Sequence, residues 1–267
     1  MIKLNGEIIK QEHFPDNSLR IDTANNSNIC DCLWHCSVEP LTITWYYEND
    51  AELFTIICLR KHFPNKGMIL EMPYCPHARM DRVKKHTDFF TLRHFADIIN
   101  YLNFNFVSVL DPHSYVSEAL INNIVVQSPE NYIVQAGMKC NPDLIFFPDE
   151  GAMKRYSNLL RAEYAFGIKR RDWETGQILG LDVAGNIDKI KDSKILIVDD
   201  ICSRGGTFYH SAKKLKELGA KEIYLYITHC ENTIFEGELL TSGLIERVYT
   251  TNSIFTKEHE KIEVFEL

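Results

Sequence analysis

No apolar run in the chain approaches the roughly 18 residues that a membrane span requires. The opening segment, MIKLNGEIIKQEHF, places a polar residue every two or three positions and so has no apolar signal-peptide core. Both absences point to an intracellular, cytoplasmic protein without a membrane partner. Excess positive charge is missing too. The formal net charge is −8, which argues against a general nucleic-acid binder, because affinity for a phosphate backbone comes mainly from Lys and Arg. Metal-type cysteine pairs are also lacking. Of Cys30, Cys32, Cys36, Cys58, Cys75, Cys140, Cys202 and Cys230, only the first three cluster, and with His35 they form one tight group, CDCLWHC. Zinc sites present two separated ligand pairs at wider spacing, so these residues read as buried reduced thiols rather than structural zinc or disulfides.

What is present is an alternation of strand and helix signals through 267 residues, 45% hydrophobic and 25% charged. LTITWYY (41–47) reads as a strand, 49–63 as an amphipathic helix, KGMILEMPY (66–74) as a strand, 87–102 as a helix and FNFVSVLD (104–111) as a strand. The second half alternates in the same way, with DLIFFPD (143–149), a helix over about 151–162, YAFGIKR (164–170), SKILIVDD (193–200), a helix over 209–220 and KEIYLYITH (221–229). Such alternation predicts the α/β class, with parallel sheets flanked by helices and ligands just beyond the carboxyl ends of the strands. Between the halves, 121–142 is polar and turn-rich, which places a boundary near residue 128 and gives domains 1–128 and 129–267. The charged stretch RRDWETGQILG (170–180) fits a hairpin or mobile loop.

The most informative segment is VDDICSRGGTF (198–208). Asp199 and Asp200 are expected to end a buried strand, where carboxylates must find donors or face solvent at a cost, and a pair of them suits neighbouring sugar hydroxyls. The turn from Cys202 to Thr207 leads into a helix start, whose backbone amides are unsatisfied and positively polarised. Gly205 and Gly206 would let a phosphate approach them closely.

Apolar strand, Asp-Asp, then Gly-Gly-Thr closely resembles the phosphoribosyl-diphosphate-binding motif of type I phosphoribosyltransferases. MPYCPHARMDRV (72–83), LDPHS (110–114), PDEGAMKR (148–155) and KRRD (169–172) resemble, in the right order, motifs of the ribose-phosphate diphosphokinases. Over roughly residues 12 to 266 the chain resembles a shortened, phage-type member of that family. The resemblance implies two phosphoribosyltransferase-like domains, each a mostly parallel sheet flanked by helices. It also implies transfer of the β,γ-diphosphate of ATP to the anomeric hydroxyl of a 5-phosphorylated ribose, with release of AMP and dependence on Mg²⁺. On the same footing, Arg79 and Asp81 would bind ATP, and Phe14 and Asp16 would grip a neighbouring subunit's adenine, so that the chain is at least a dimer. His113 and Asp149 match Mg²⁺-associated residues, with Asp111 supporting the metal and diphosphate region. Lys169, Arg171 and His113 would be catalytic. Asp199, Asp200, Ser203, Arg204, Gly205, Gly206 and Thr207 would hold the sugar phosphate.

Several positions depart from the family pattern. Ser18 stands where an adenine-binding Glu is expected, and Met80 replaces a Gln. The phosphate loop reads SRGGT rather than Asp-Thr-Gly-Gly-Thr, so Ser203 and Arg204 add two units of positive charge relative to the pattern. That charge leaves two acceptors open: ribose 5-phosphate, or ADP-ribose, whose 5-phosphate continues into another phosphate and whose product would serve NAD salvage. Two other functions compete, a non-catalytic regulatory relative and a base-exchanging phosphoribosyltransferase. Relative to longer family members, a first strand-helix unit and a final helix are expected to be missing, which bears on hexamer contacts and allosteric control. A phage-encoded chain would work in the host cytoplasm.

Overall fold

A computed structural model describes residues 1–21, 40–160, 162–171 and 178–267, with the backbone alone for 169–171 and 178–179. Cys30, Cys32, His35 and Cys36 lie outside the described residues. The chain divides into two compact units, Met1–Ser128 and Pro129–Leu267.

In the first unit, β1 (Ile2–Leu4), β2 (Glu7–Ile8), β5 (Leu41–Trp45), β6 (Met68–Met72), β7 (Phe106–Leu110) and β8 (Ile124–Gln127) form a sheet of order β2-β1-β5-β6-β7-β8. The run from β5 to β8 is parallel, and β1 and β2 add an antiparallel edge. Ile43, Trp45, Leu70, Met72, Val107 and Val109 are buried with Ile56 and Leu59 of α1 (Glu52–His62) and Leu92, Phe95 and Ile99 of α2 (Thr91–Leu102). A short α3 (Tyr115–Leu120) follows β7. Separately, β3 (Gln11–His13) and β4 (Leu19–Ile21) make a two-stranded antiparallel ribbon.

The second unit has a sheet of order β11-β10-β9-β12-β13-β14-β15. Its strands are β9 (Leu144–Phe147), β10 (Tyr164–Arg171), β11 (Ile178–Gly185), β12 (Lys194–Cys202), β13 (Glu222–Cys230), β14 (Arg247–Thr251) and β15 (Ile262–Phe265). All neighbours are parallel except β10 and β11, which form the antiparallel pair of a hairpin. Strand β12 shows why both faces are covered. Ile195 and Ile197 pack with Phe208, Ala212 and Leu215 of α6 (Gly206–Glu217). Leu196 and Val198, pointing the other way, pack with Ile133 and Ala136 of α4 (Glu130–Cys140) and Ala152 and Tyr156 of α5 (Glu150–Tyr156). A strand buried on both sides reads as a continuous apolar run, which ILIV is.

The stretch 121–142 carries β8 and α4, and the two units divide within it, after Ser128. Val125 and Val126 of β8 are exposed at the sheet edge, and α4 buries a narrow face of Ile133, Ala136 and Cys140. Two expectations need correction. The helix expected over 151–162 ends at Tyr156, where the Ser157 N–H closes on the Met153 carbonyl. Asp199 and Asp200 do not end their strand, since β12 continues pairing with β13 as far as Cys202 opposite Cys230. Among the described residues no helix is long and apolar enough to cross a membrane.

Candidate active site

In the first unit two motif segments meet beyond the sheet. Ser114 caps α3, accepting from the Val116 N–H at 3.2 Å, and its hydroxyl donates to Asp81 Oδ2 at 2.8 Å. Arg82 Nε lies 3.1 Å from Asp81 Oδ1. Asp81 is thus a brace between the 79–82 and 111–114 segments, while Arg79 beside it is exposed. Asp111 directly follows β7; it is 4% exposed and held at φ 41°, a left-handed conformation unusual for a residue with a side chain. His113 is half-buried two residues on.

Phe14 and Asp16 occupy the turn between β3 and β4. Phe14 is 52% exposed. The hydroxyl and N–H of Ser18 donate to Asp16 Oδ1 at 2.6 and 3.0 Å, and these bonds hold the carboxyl below its ordinary range. The serine that departs from the family pattern therefore orders the acid next to it.

In the second unit the acids sit in the body of β12. Asp200 is 3% exposed, and its Oδ2 accepts from Arg155 Nη1 at 2.8 Å. Asp199 remains partly open, and its Oδ1 accepts from the Asp200 N–H at 3.0 Å. Desolvation by the surrounding protein and then the charge of Asp200 push the Asp199 carboxyl well above its usual range, with Asp149 adding to the effect. Asp149 caps α5 by accepting from the Ala152 N–H at 3.1 Å. Arg155 stands within PDEGAMKR, yet sequence reasoning gives it no role. A basic residue in the last turn of a helix capped by an acid is the signal that could have found it.

The loop after β12 turns at Gly205, which is in the left-handed region at φ 76° and packs so closely on Leu239 that a Cβ would lie 2.8 Å from its Cδ2. Gly205 offers α6 no side-chain cap, so the first amides of that helix are open to an acceptor. A Cβ on Gly206 would meet nothing within 4 Å. Glycine there leaves room for a ligand rather than relieving a clash. Gly206 and Thr207 are exposed. Arg204 Nε and Nη2 both bind Glu236 Oε2, at 3.0 and 2.8 Å.

Lys169 and Arg171 lie on β10, opposite Leu181 and Ile178 of β11, with a register shift between Arg170 and Arg171. Their side chains are outside the described part. Among the described residues no three His, Cys, Asp or Glu side chains gather into a metal cage.

Two mostly parallel α/β units, the second with an acid pair inside a strand and a glycine loop after it, define a class, and a solved structure matches it. Phosphoribosylpyrophosphate synthetase from Mycobacterium smegmatis superposes with a TM-score of 0.75 at 16% identity, covering 97% of this chain and 86% of that one. That likeness shows the fold, two phosphoribosyltransferase-like units. No protein-family model matches the chain. Ribose-phosphate pyrophosphokinase of Pyrococcus abyssi is 30% identical over 232 residues, 82% of this chain and 77% of that protein. The enzyme of that name from Clostridium perfringens is 26% identical over 262 residues, 94% of this chain and 79% of that protein. The chain belongs to the ribose-phosphate pyrophosphokinase family.

Proposed function

We propose that the chain transfers the β,γ-diphosphate of ATP to the anomeric 1-hydroxyl of ribose 5-phosphate, releasing AMP. The observation that carries this reading is the arrangement on β12. A partly open carboxylate at Asp199 can accept from sugar hydroxyls, and a few residues later an uncapped helix start, kept clear by Gly206, can receive the 5-phosphate. The sugar is assigned to the acid pair Asp199 and Asp200 with Asp199 as the contacting side, its 5-phosphate to Ser203, Gly205, Gly206 and Thr207 and the backbone of the loop, and ATP to Arg79 and Asp81 of the first unit. Phe14 and Asp16 are assigned to a neighbouring subunit's adenine. Lys169 and Arg171 would offset charge growing on the leaving α-phosphate oxygen, as transfer of a phosphorus group depends mainly on positioning and charge neutralisation.

A Mg²⁺ ion fits this scheme when held partly by substrate, since Mg²⁺ favours one or two carboxylates plus phosphate oxygens over an all-protein cage. Within the first unit Asp111 and His113 would hold it, and within the second Asp149 offers a separate carboxylate; at either place the ion would supply positive charge to the phosphate oxygens. Arg204 is not spare charge, because Glu236 already engages it. That pairing removes the reason for a doubly phosphorylated acceptor and favours ribose 5-phosphate over ADP-ribose.

The test is AMP release from ATP with each acceptor, with and without Mg²⁺. Release that requires ribose 5-phosphate and Mg²⁺ supports the proposal. No AMP at saturating substrates would leave a non-catalytic relative as the better reading, and base exchange without ATP would point to a phosphoribosyltransferase. His113→Ala should lower kcat by far more than about threefold, and a smaller loss would remove it from the site.

A further inference from the structure

Neighbouring residues on a strand face opposite ways, and the two acids of β12 meet different surroundings. Asp200 continues the face of Leu196 and Val198 toward α5, where it is buried against Arg155, whose side chain is itself only 19% exposed. The Arg155 guanidinium also lies 5.7 Å from the Tyr156 ring centre, and Tyr156 is fully buried. Asp200 is therefore held from the side of α5, a helix whose own start is capped by Asp149. Asp199 is partly open, and the Asp200 N–H fixes one of its carboxylate oxygens. The order of support runs from Arg155 to the Asp200 carboxylate, and from Asp200 to Asp199 both through the Asp200 N–H and through a hydrogen bond between the two acid side chains.

We propose that Arg155 is a positioning residue and that the two acids divide the work. Asp199 accepts from the sugar hydroxyls. Asp200, neutralised and oriented by Arg155, is the backing that aims Asp199 and does not itself read the sugar. Removing the guanidinium leaves an uncompensated buried carboxylate that must move or take up a proton, and the Asp200 peptide moves with it. This inference rests on the sugar-phosphate reading above and assigns unequal roles within it.

The experiment compares kcat/KM for ribose 5-phosphate with that for its 2-deoxy and 3-deoxy analogues. The proteins are the parent, Asp199→Asn, Asp200→Asn, Arg155→Met, Arg155→Lys and the Arg155→Met/Asp200→Asn double variant. Asp199→Asn should reduce the preference over at least one deoxy analogue by about tenfold or more, since a carboxylate with two accepting oxygens is replaced by an amide with one neutral acceptor and a donor NH₂. Asp200→Asn and Arg155→Met should instead lower kcat/KM for all three sugars by about tenfold, leaving the preference within about twofold and the KM for ATP unchanged. In the Asp200→Asn background Arg155→Met should add less than about twofold, because both act through one contact. Arg155→Lys, keeping the charge but losing the fork, should fall between parent and Arg155→Met. Loss of hydroxyl preference in Asp200→Asn with its retention in Asp199→Asn overturns the division of labour. Additive losses in the double variant overturn the positioning role. A parent that releases no AMP with ribose 5-phosphate refutes the enzymatic reading instead, and this inference falls with it. Should Arg155→Met melt before assay, Asp200→Asn and Arg155→Lys still decide the question.

Discussion

Gly237→Ala tests whether the loop's shape is set from below. Gly237 follows the 3-10 turn Asn232–Glu236 and has φ −103° and ψ 176°, angles that alanine adopts freely. Its problem is space, because a Cβ there would lie 1.8 Å from the Arg204 carbonyl oxygen. Close carbon–oxygen contacts are about 3.3 Å, so the two backbones must part by roughly 1.5 Å. Neither side yields easily. The segment carrying Gly237 is pinned by buried Ile234 and Leu239, and the loop is pinned by buried Cys202 and Phe208. Overpacking of this kind costs about 1–3 kcal/mol, and a displacement near 1 Å at a binding site can cost about 100-fold in rate. We expect kcat/KM for ribose 5-phosphate to fall roughly 10- to 100-fold, equivalent to about 1.4–2.7 kcal/mol, mainly through KM. The KM for ATP should stay within about twofold. Initial rates of AMP release at saturating ATP, with a thermal melt on the same sample, make the measurement. A sugar-phosphate KM unchanged within about twofold in a folded variant would show that Gly237 does not set the loop.

Three further outcomes follow from the same geometry. The Asp199 carboxyl titrates well above its unfolded value of 3.8 in the folded protein, so stability declines as pH rises from the unfolded value through the folded one. Asp199→Asn should therefore raise Tm more at about pH 8 than at about pH 4, and equal shifts in melts across that range would contradict the sign. The Arg204–Glu236 pair is exposed, at 73% and 55%, and such pairs contribute about 0–1 kcal/mol, so Arg204→Thr should keep kcat/KM for ribose 5-phosphate within about threefold. A loss above about tenfold would place Arg204 on the acceptor. If Phe14 serves a neighbouring subunit, sedimentation should show at least a dimer and Phe14→Ala should raise the KM for ATP alone; a fully active monomer would contradict this.

The parallel sheets are legible in the sequence because ILIV, LIFF and their like are continuous apolar runs between helical periods. The short antiparallel edge of the first sheet is not, since Ile2 and Leu4 offer only one alternation, and neither are the strands β14 and β15 near the carboxyl end. The acid pair and glycine loop are readable since their residues are adjacent in the chain. What supports them is not. Arg155 reaches Asp200 across 45 positions and Glu236 reaches Arg204 across 32, and no local pattern encodes a contact of that span. Gly237 carries no motif, because the need for glycine there comes from another segment's carbonyl rather than from its own backbone angles.

This separation also explains how the loop can depart from its family pattern. The cradle is made of backbone: a left-handed turn at Gly205, an unobstructed Gly206 and the open amides of α6. Ser203 and Arg204 precede those parts, and the Arg204 side chain turns to Glu236. A side-chain change at Arg204 leaves the amide positions intact as long as the Gly237 contact holds the Arg204 carbonyl in place. The strand contributes the remaining constraint. Pairing of β12 with β13 through Cys202 and Cys230 keeps Asp199 and Asp200 within the sheet rather than at a frayed end. The separation between the acids and the helix start is thereby fixed by the sheet on one side and by the Gly237 buttress on the other. A ligand gripped at both places must match that separation, so selection of the acceptor rests on backbone spacing more than on loop charge.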